Sequence, residues 1–261
     1  MRQHKKALLV VLVVVVVGML VWVFYPRSNS DGENTSPASE LVRQVFRPFG
    51  ETPTQDKPAA PSTEYSLTDP ASLWVIVNKL NSLPANYEPA GLRYPAVPLR
   101  SGQSPEMLLR DEAASSIETM FAAANNANHH LMLVSGYRSY GLQQAVYSRN
   151  VQNEGQALAD RTSARPGHSE HQTGLAADVG LLSGACQLSE CFGETAAGQW
   201  VAQHAHEFGF ILRYPQGGEG VVGYDYEPWH LRYVGNELAT KIYQANQTME
   251  GFFGWPPAPT Y

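Results

Sequence analysis

The stretch Ser169–Gly180, SEHQTGLAADVG, places a histidine and an aspartate on either side of a short run of mostly small residues. Both residue types are common in polar turns and caps, so His171 and Asp178 are compatible with an ordinary loop. The two side chains are also suited to one divalent metal ion, because imidazole nitrogen and carboxylate oxygen are common zinc ligands. A metal site would require a third ligand, and the candidate is His230 in the stretch YEPWHLRY.

Glu227 lies three residues before His230 and supplies the carboxylate that a hydrolytic metal site would need. Three protein ligands leave the fourth position of a tetrahedral zinc ion for water, as in catalytic zinc sites. Zinc lowers the pKa of that water towards about 7, and a nearby carboxylate can then accept its proton. The spacing of these residues is consistent with such a site but does not exclude an ordinary turn.

Residues 1–25 predict a membrane anchor. The run 7–25 contains no charged residue, and as a helix it would be roughly 28 Å long, close to the thickness of a bilayer core. Three basic residues lie within residues 1–6, whereas only Arg27 follows closely, so residues 1–6 are predicted to be cytoplasmic and the rest of the chain exported. A cleaved signal peptide is the alternative, but the apolar run is long for one and no small-residue cleavage site follows it.

Residues 26–66 have the composition of a flexible linker, and residues 67–261 that of a folded domain. The linker is rich in Pro, Ser, Thr, Asn and Glu, which favour an extended and unpacked chain. In the domain, short strands interrupted by Gly and Pro alternate with helices, and this pattern predicts a single α+β domain rather than a doubly wound sheet. One helix is predicted to begin at Pro105 with Ser104 as its cap, and a strand is predicted to end at Gly136.

The charge balance argues against polyanionic partners. The chain carries 18 basic and 24 acidic residues, a formal net charge of −6, and three of the basic residues precede the apolar run. An acidic domain is unsuited to nucleic acid and to the anionic polymers of a cell envelope. The two cysteines, Cys186 and Cys191 in CQLSEC, lie on the predicted exported side, where either a disulfide or two free thiols would be compatible with the sequence.

Four stretches of the chain resemble a known enzyme family. The VanY-type D-alanyl-D-alanine carboxypeptidases contain, in this order, stretches similar to SGYRSYGLQ, PGHSEHQTGLAADVG, CFGETAAGQWVAQHAHEFGFILRYP and GYDYEPWHLRYVG. These enzymes belong to a zinc peptidase group with the lysostaphin-like enzymes and the hedgehog signalling domain. The resemblance extends from about Leu73 to Gly235. It implies a hedgehog/DD-peptidase-like α+β domain, with a small antiparallel sheet flanked by helices.

The resemblance also implies a site for one zinc ion (Zn2+) per chain. It assigns His171, Asp178 and His230 as the metal ligands. Glu227 takes the place of the general base, and Arg138 that of the cation that receives the substrate carboxylate or the developing oxyanion. The positions that line the substrate cleft in the similar LdcB-type L,D-carboxypeptidases correspond to Gln143, Ser169, Tyr214 and Trp229.

The function implied is that of a zinc carboxypeptidase anchored in a bacterial cell membrane and active on its outer side. Its substrate would be the peptidoglycan stem peptide, from which it would remove the C-terminal D-alanine as a D,D-carboxypeptidase. An L,D-carboxypeptidase acting on tetrapeptide stems and a wall-binding module without hydrolytic activity are the alternatives. The sequence contains no Ser-x-x-Lys motif, so the serine-acylating mechanism of the penicillin targets has no candidate nucleophile. Neither nucleic acid nor a particular protein partner is predicted.

Overall fold

The structure, a computed structural model, describes residues 65–261. The predicted cytoplasmic segment 1–6, the predicted anchor 7–25 and residues 26–64 of the predicted linker lie outside the described residues. Among residues 65–261, no helix is both long enough and apolar enough to cross a membrane. The anchor and the linker therefore stay predictions.

Two antiparallel sheets organise the described domain. The strands are β1 (Leu92–Arg93), β2 (Leu109–Arg110), β3 (Leu131–Ser135), β4 (Ala176–Leu181), β5 (Phe210–Leu212) and β6 (His230–Tyr233). The smaller sheet pairs β1 with β2, and the larger sheet has the spatial order β3-β4-β6-β5. Every neighbouring pair in the larger sheet is antiparallel, and β4 and β6 are its two inner strands.

Helices accompany the two sheets. The α-helices are α1 (Asp111–Asn126), α2 (Tyr140–Glu154), α3 (Gln156–Thr162), α4 (Cys191–Glu194), α5 (Ala196–His204), α6 (Glu219–Val222), α7 (Asn236–Ala245) and α8 (Met249–Phe253). Short 3-10 helices span Pro105–Met107, Glu170–Thr173 and Ala205–Phe208. The predicted combination of a small antiparallel sheet and helices is therefore confirmed.

The main hydrophobic core contains one face of α1 and the inner strands of the larger sheet. Apolar residues recur at helical spacing in α1, so Ile117 and Phe121 fall on the same face and are buried. They belong to the same cluster as Leu133 of β3 and Val179 of β4. Burying a side chain of this size contributes roughly 1.5–3 kcal/mol. This packing holds β4, the strand that carries Asp178, in the interior of the domain.

The helix predicted to begin at Pro105 begins only at Asp111. The residues between them form a 3-10 helix and β2 instead, and Ser104 precedes the 3-10 helix without making a side-chain cap. Tertiary hydrogen bonding overrides the local pattern here, because the Glu106 carbonyl accepts from the N–H of Gly136 at 2.6 Å. A continuous α-helix would have used that carbonyl within itself. The strand prediction is confirmed, since β3 ends immediately before Gly136.

Candidate metal centre

The inner strands bring two of the predicted ligands opposite each other. In the pairing of β4 with β6, Asp178 lies directly opposite His230, the first residue of β6. His171 lies in the 3-10 helix Glu170–Thr173, just ahead of β4. That helix ends at Gly174, whose φ of 69° lies in the left-handed region that glycine adopts without strain. The resulting turn brings His171 back to Asp178.

These three side chains form a compact donor set. The Asp178 carboxylate is 3.2 Å from His171 Nε2 through one oxygen and 3.0 Å from His230 Nδ1 through the other. One donor atom from each residue lies within 4.8 Å of the other two, and each residue is at most 5% exposed. Ligands held about 2.1 Å from a tetrahedral zinc ion are separated by about 3.4 Å, so the donor set fits one such ion.

The outer nitrogen of His171 is held by a backbone carbonyl. Its Nδ1 lies 2.6 Å from the Gly136 oxygen, which can only accept, so Nδ1 carries the proton and Nε2 keeps a free lone pair. Glycine is required at position 136, because a Cβ there would collide with the backbone carbonyl of Leu108. Burial lowers the pKa of His171, which favours the neutral imidazole that binds metals.

His230 presents Nδ1 to the donor set and Nε2 to a second carboxylate, that of Glu170. The distance from His230 Nε2 to Glu170 Oε2 is 3.6 Å, and both atoms are buried. Sequence reasoning missed Glu170; the available signal was a charged residue beside a candidate ligand, which is costly to bury unless it is paired. Burial alone would lower the pKa of His230, but its contacts with Asp178 and Glu170 raise it to about 9.

Glu227 lies at the edge of the donor set. Its Oε2 is 3.7 Å from His230 Nδ1, and 15% of its side chain is exposed. Burial raises the pKa of Glu227 to about 8, although the charge of His230 opposes this shift. A carboxyl group whose pKa is close to neutrality can both accept and donate a proton. The surroundings of Glu227 therefore suit it to proton transfer.

Arg138 lies in the loop between β3 and α2, and neutral groups hold its guanidinium. It donates to Gln143 Oε1 and to Ser135 Oγ, both at 3.0 Å. Gln143 is buried and donates in turn to the Ala164 carbonyl at 2.6 Å. Ser135 pairs with Asp178 in the β3–β4 register, so Arg138 is anchored beside the donor set. Because Gln143 and Ser135 are neutral, they orient the guanidinium without cancelling its charge.

The remaining predicted cleft residues differ in their surroundings. Tyr214 is buried, and its ring centroid lies 4.7 Å from that of His230. Ser169 is buried immediately ahead of the 3-10 helix that carries His171. Trp229 is partly buried and packs against the main core. The structure thus places Tyr214 in contact with His230 of the metal centre. Ser169 lies two residues before His171 in the chain, and Trp229 immediately precedes His230.

A disulfide joins Cys186 and Cys191 in the structure. Cys191 is the first residue of α4, so the bridge closes the short connection between β4 and that helix. Of the two states that the sequence left open for these cysteines, the structure contains the bridged one.

Comparison with known proteins identifies the family of this chain. The family model described as VanY, D-alanyl-D-alanine carboxypeptidase, matches residues 106–236, which is half of the chain. The chain belongs to the VanY family. A relative in Bacillus subtilis (strain 168), YodJ, is described as a candidate carboxypeptidase. It is 42% identical over 189 residues, which cover 72% of this VanY-family chain and 69% of YodJ.

Two solved structures are similar to this VanY-family protein in both fold and sequence. The LdcB LD-carboxypeptidase is 43% identical with a TM-score of 0.68, over 71% of this chain and 87% of that chain. A mutant of the vancomycin-resistance D,D-pentapeptidase VanY in complex with Zn(II) is 30% identical with a TM-score of 0.58, over 68% of this chain and 97% of that chain. The zinc in that VanY complex and the donor set found here together support a metal cofactor for this protein.

Proposed function

We propose that this protein is a zinc-dependent carboxypeptidase that removes the C-terminal D-alanine from peptidoglycan stem peptides. The observation that carries the proposal is the buried donor set of two histidines and an aspartate, with Glu227 at its edge and Arg138 beside it. The relatives agree with this assignment. LdcB is an LD-carboxypeptidase whose structure concerns peptidoglycan recognition, and VanY is a D,D-pentapeptidase.

The donor set is suited to one zinc ion with an open position. His171 and His230 supply nitrogen donors and Asp178 supplies a carboxylate, which leaves one tetrahedral position for solvent or substrate. A zinc ion bound there would polarise the scissile carbonyl and lower the pKa of a water molecule. Because the three side chains are almost fully buried, their electrostatic interactions with a bound ion would be stronger than in solution.

Glu227 would move the proton that hydrolysis requires. As water adds to the scissile carbonyl carbon, the Glu227 carboxylate accepts a proton from it. When the C–N bond breaks, Glu227 returns that proton to the amine of the departing D-alanine. Its pKa of about 8, raised by burial, makes Glu227 a stronger base than an exposed glutamate. A bound cation would lower this pKa and so keep the ionised form accessible near neutral pH.

Arg138 would recognise the free carboxylate at the end of the substrate. A guanidinium presents a planar fork of N–H groups that matches a carboxylate, and the same charge would stabilise an oxyanion. Gln143 and Ser135 fix the direction of this fork through hydrogen bonds of 3.0 Å. A free terminal carboxylate is the feature that separates the substrate of a carboxypeptidase from an internal peptide bond.

Two candidates remain for the stereochemistry of the cleaved bond. A D,D-carboxypeptidase would act on pentapeptide stems that end in two D-alanines, and the relative VanY is described as a D,D-pentapeptidase. An L,D-carboxypeptidase would act on tetrapeptide stems, and the higher identity and TM-score of LdcB favour this second candidate. Both reactions use the same metal centre, so the difference would lie in the shape of the cleft around the residue before D-alanine.

The proposed location is the outer side of a bacterial cell membrane. The uncharged run 7–25 would anchor the chain, and residues 26–66 would connect the anchor to the catalytic domain. A tether of this composition would let the domain reach peptidoglycan at some distance from the membrane.

The proposal is tested by incubating the zinc-loaded, full-length protein separately with purified pentapeptide and tetrapeptide muropeptides, followed by mass spectrometry. We expect one substrate to lose a single alanine, and the preferred substrate assigns the D,D or L,D specificity. Glu227→Gln should lower kcat by about 10²- to 10⁴-fold, with unchanged zinc content. Glu237→Gln is a matched control, because Glu237 is an exposed residue of α7 paired with Lys241.

Release of alanine from neither substrate, or full activity of Glu227→Gln, would contradict the proposed reaction. Binding to peptidoglycan without release of alanine would instead favour the wall-binding alternative.

A further inference from the structure

Four buried charged residues lie on the outer side of His230. Each is at most 1% exposed, and the set consists of Glu170, Arg213, Arg232 and Glu250, here called the ion cluster. Each member comes from a different segment: Glu170 from the 3-10 helix ahead of β4, Arg213 from the residue after β5, Arg232 from β6, and Glu250 from α8. Two cations and two anions make the ion cluster electrically neutral.

The ion cluster holds Glu170 by one of its two carboxylate oxygens. Oε1 accepts from Arg213 Nε and from Arg232 Nη1, each at 2.8 Å. Arg213 is held in turn by two hydrogen bonds to Glu250, at 2.6 and 2.9 Å. Arg232 also donates to the Val75 carbonyl at 2.9 Å. Because Glu250 holds Arg213 and the Val75 carbonyl holds Arg232, the two arginines fix the orientation of the Glu170 carboxylate.

The second oxygen of Glu170 faces His230. Glu170 Oε2 and His230 Nε2 are 3.6 Å apart, and within residues 65–261 neither of these buried atoms has a hydrogen-bond partner. A buried polar atom without a partner costs free energy, so two such atoms facing each other indicate a single interaction. The opposite nitrogen of the ring, Nδ1, lies 3.0 Å from Asp178.

We propose that Glu170 is a positioning residue for the metal: it accepts the proton of His230 Nε2 and thereby directs the Nδ1 lone pair into the donor set. This inference rests on the metal site of the proposed function. In metal sites, a carboxylate or carbonyl on the outer nitrogen of a histidine ligand fixes the tautomer and the ring orientation. For His171 that partner is the Gly136 carbonyl, whereas for His230 it is a carboxylate.

Stability alone does not account for the ion cluster. Buried ion pairs contribute little net stability compared with apolar side chains of the same volume, because desolvation offsets their attraction. A carboxylate placed beside His230 without compensation would be an unpaired buried charge. Arg213 and Arg232 balance that charge on the oxygen that points away from His230, and they leave the other oxygen free to accept.

The test compares two charge-balanced variants of the full-length protein. Glu170→Gln alone would leave two buried arginines with one carboxylate, so it is paired with Arg232→Met. The matched control, Glu250→Gln with Arg213→Met, also removes one buried ion pair but keeps the Glu170 carboxylate beside His230. For the parent and both variants, zinc affinity is measured by competition with a chromophoric chelator. The absorption spectrum of the cobalt(II) form reports the ligand geometry, and circular dichroism of the zinc-free form reports folding.

We expect Glu170→Gln/Arg232→Met to bind zinc about 10- to 100-fold more weakly than the parent, with an altered cobalt spectrum. The control loses the Arg213 hydrogen bond to Glu170 but keeps the carboxylate beside His230, still held by Arg232 Nη1 at 2.8 Å. Its loss of zinc affinity should therefore be clearly smaller than that of Glu170→Gln/Arg232→Met. Glu170→Asp keeps the charge but withdraws the carboxylate by one methylene, and its zinc affinity should also fall. This variant keeps the inference testable if the paired variant does not fold.

Parent-like zinc affinity and cobalt spectrum in Glu170→Gln/Arg232→Met would overturn the role of Glu170 and leave the metal site intact. Equal losses of zinc affinity in Glu170→Gln/Arg232→Met and in the control would also overturn the role of Glu170, because the ion cluster would then affect zinc binding only through the fold. A folded parent protein that binds no zinc would instead overturn the proposed metal site itself.

Discussion

Two clusters of buried polar side chains meet at His230, and they differ in whether their members satisfy one another. In the ion cluster, two arginines donate to two carboxylates at 2.6–2.9 Å, and the charges cancel. In the donor set, two imidazole nitrogens and a carboxylate oxygen lie within 4.8 Å of one another. Ligand atoms grouped in this way suit a bound cation, whereas both arginines of the ion cluster already have carboxylate partners. The donor set is therefore suited to chemistry and the ion cluster to support.

The same difference separates the consequences of substitution. Loss of one member of the donor set removes a ligand from the metal site. Loss of one member of the ion cluster leaves an opposite charge buried without its partner, which destabilises a fold strongly. Zinc affinity and the free energy of unfolding should therefore respond to different residues.

The largest expected effect is that of His230→Ala on the metal centre. Removing a ligand should weaken zinc binding by more than about 100-fold, since 10- to 100-fold is typical for loss of an outer partner alone. Hydrolysis of stem peptides should disappear with the zinc. His204→Ala is the control, because His204 is a partly exposed residue at the end of α5 that contacts Glu207. Stoichiometric zinc in His230→Ala, measured by elemental analysis, would break the assignment of the donor set.

Glu250→Gln should have a large effect on the stability of the fold rather than on zinc binding. The substitution leaves the buried Arg213 with Glu170 as its remaining carboxylate partner, and breaking a buried pair in this way costs about 3–5 kcal/mol. Zinc affinity should stay close to that of the parent, because Glu250 contacts neither His230 nor Asp178 through the hydrogen bonds that it makes. The measurements are urea unfolding of the zinc-free protein and chelator competition. Parent-like stability would remove the distinction between the two clusters.

A smaller, graded effect is expected from pH. In the metal-free protein, burial alone would lower the pKa of His230 from its ordinary value of 6.5. Contacts with Asp178 and Glu170 outweigh burial and raise this pKa to about 9. Below pH 9 a proton therefore competes with the metal, so zinc affinity should rise about tenfold per pH unit between pH 7 and 9 and then level off.

The same shift predicts how the metal-free protein responds to pH. A raised pKa means that the folded state holds the His230 proton more tightly than the unfolded state does. This contribution to stability is complete below about pH 6.5 and is lost as the pH rises through 9. Chelator competition and thermal unfolding over this range measure both trends. A zinc affinity independent of pH would show that His230 is already neutral in the metal-free protein.

The smallest effect on catalysis is expected for the double substitution Cys186→Ser/Cys191→Ser. Loop closure by so short a bridge contributes about 2 kcal/mol on the chain-entropy account, which corresponds to a fall of about 4–8 °C in Tm for a domain of this size. The bridge lies between β4 and α4 and supplies no donor atom to the metal centre, so kcat/KM should change by less than about threefold. A large loss of kcat/KM would show that this loop shapes the cleft.

Part of the site was predictable from the sequence because its residues lie in short motifs. The donor set comes from two stretches, one around Asp178 and one ending at His230, and Glu227 lies in the second of them. The strand before Gly136 could likewise be predicted, because a run of apolar residues ended at a glycine. These features depend on residues that are close together in the chain, so the local sequence predicts them.

Other features were not predictable from local patterns. The helix predicted from Pro105 is interrupted because the Glu106 carbonyl bonds to Gly136, a residue distant in the chain. The partnership of Glu170 with His230 was missed for the same reason, since it depends on arginines that follow β5 and lie within β6. In each case a contact between remote segments outweighs the local preference.

By itself, the sequence determined the chemical types at this site: the imidazoles, the carboxylates, the guanidinium and the family to which their motifs belong. Only the tertiary structure decided that Asp178 and His230 are opposite each other in the β4–β6 register and that Glu170 stands behind His230. The physical reason is that a side chain's chemistry is a property of one residue. Its distance and direction to a partner depend on strand register and burial, which arise only when distant segments pack together.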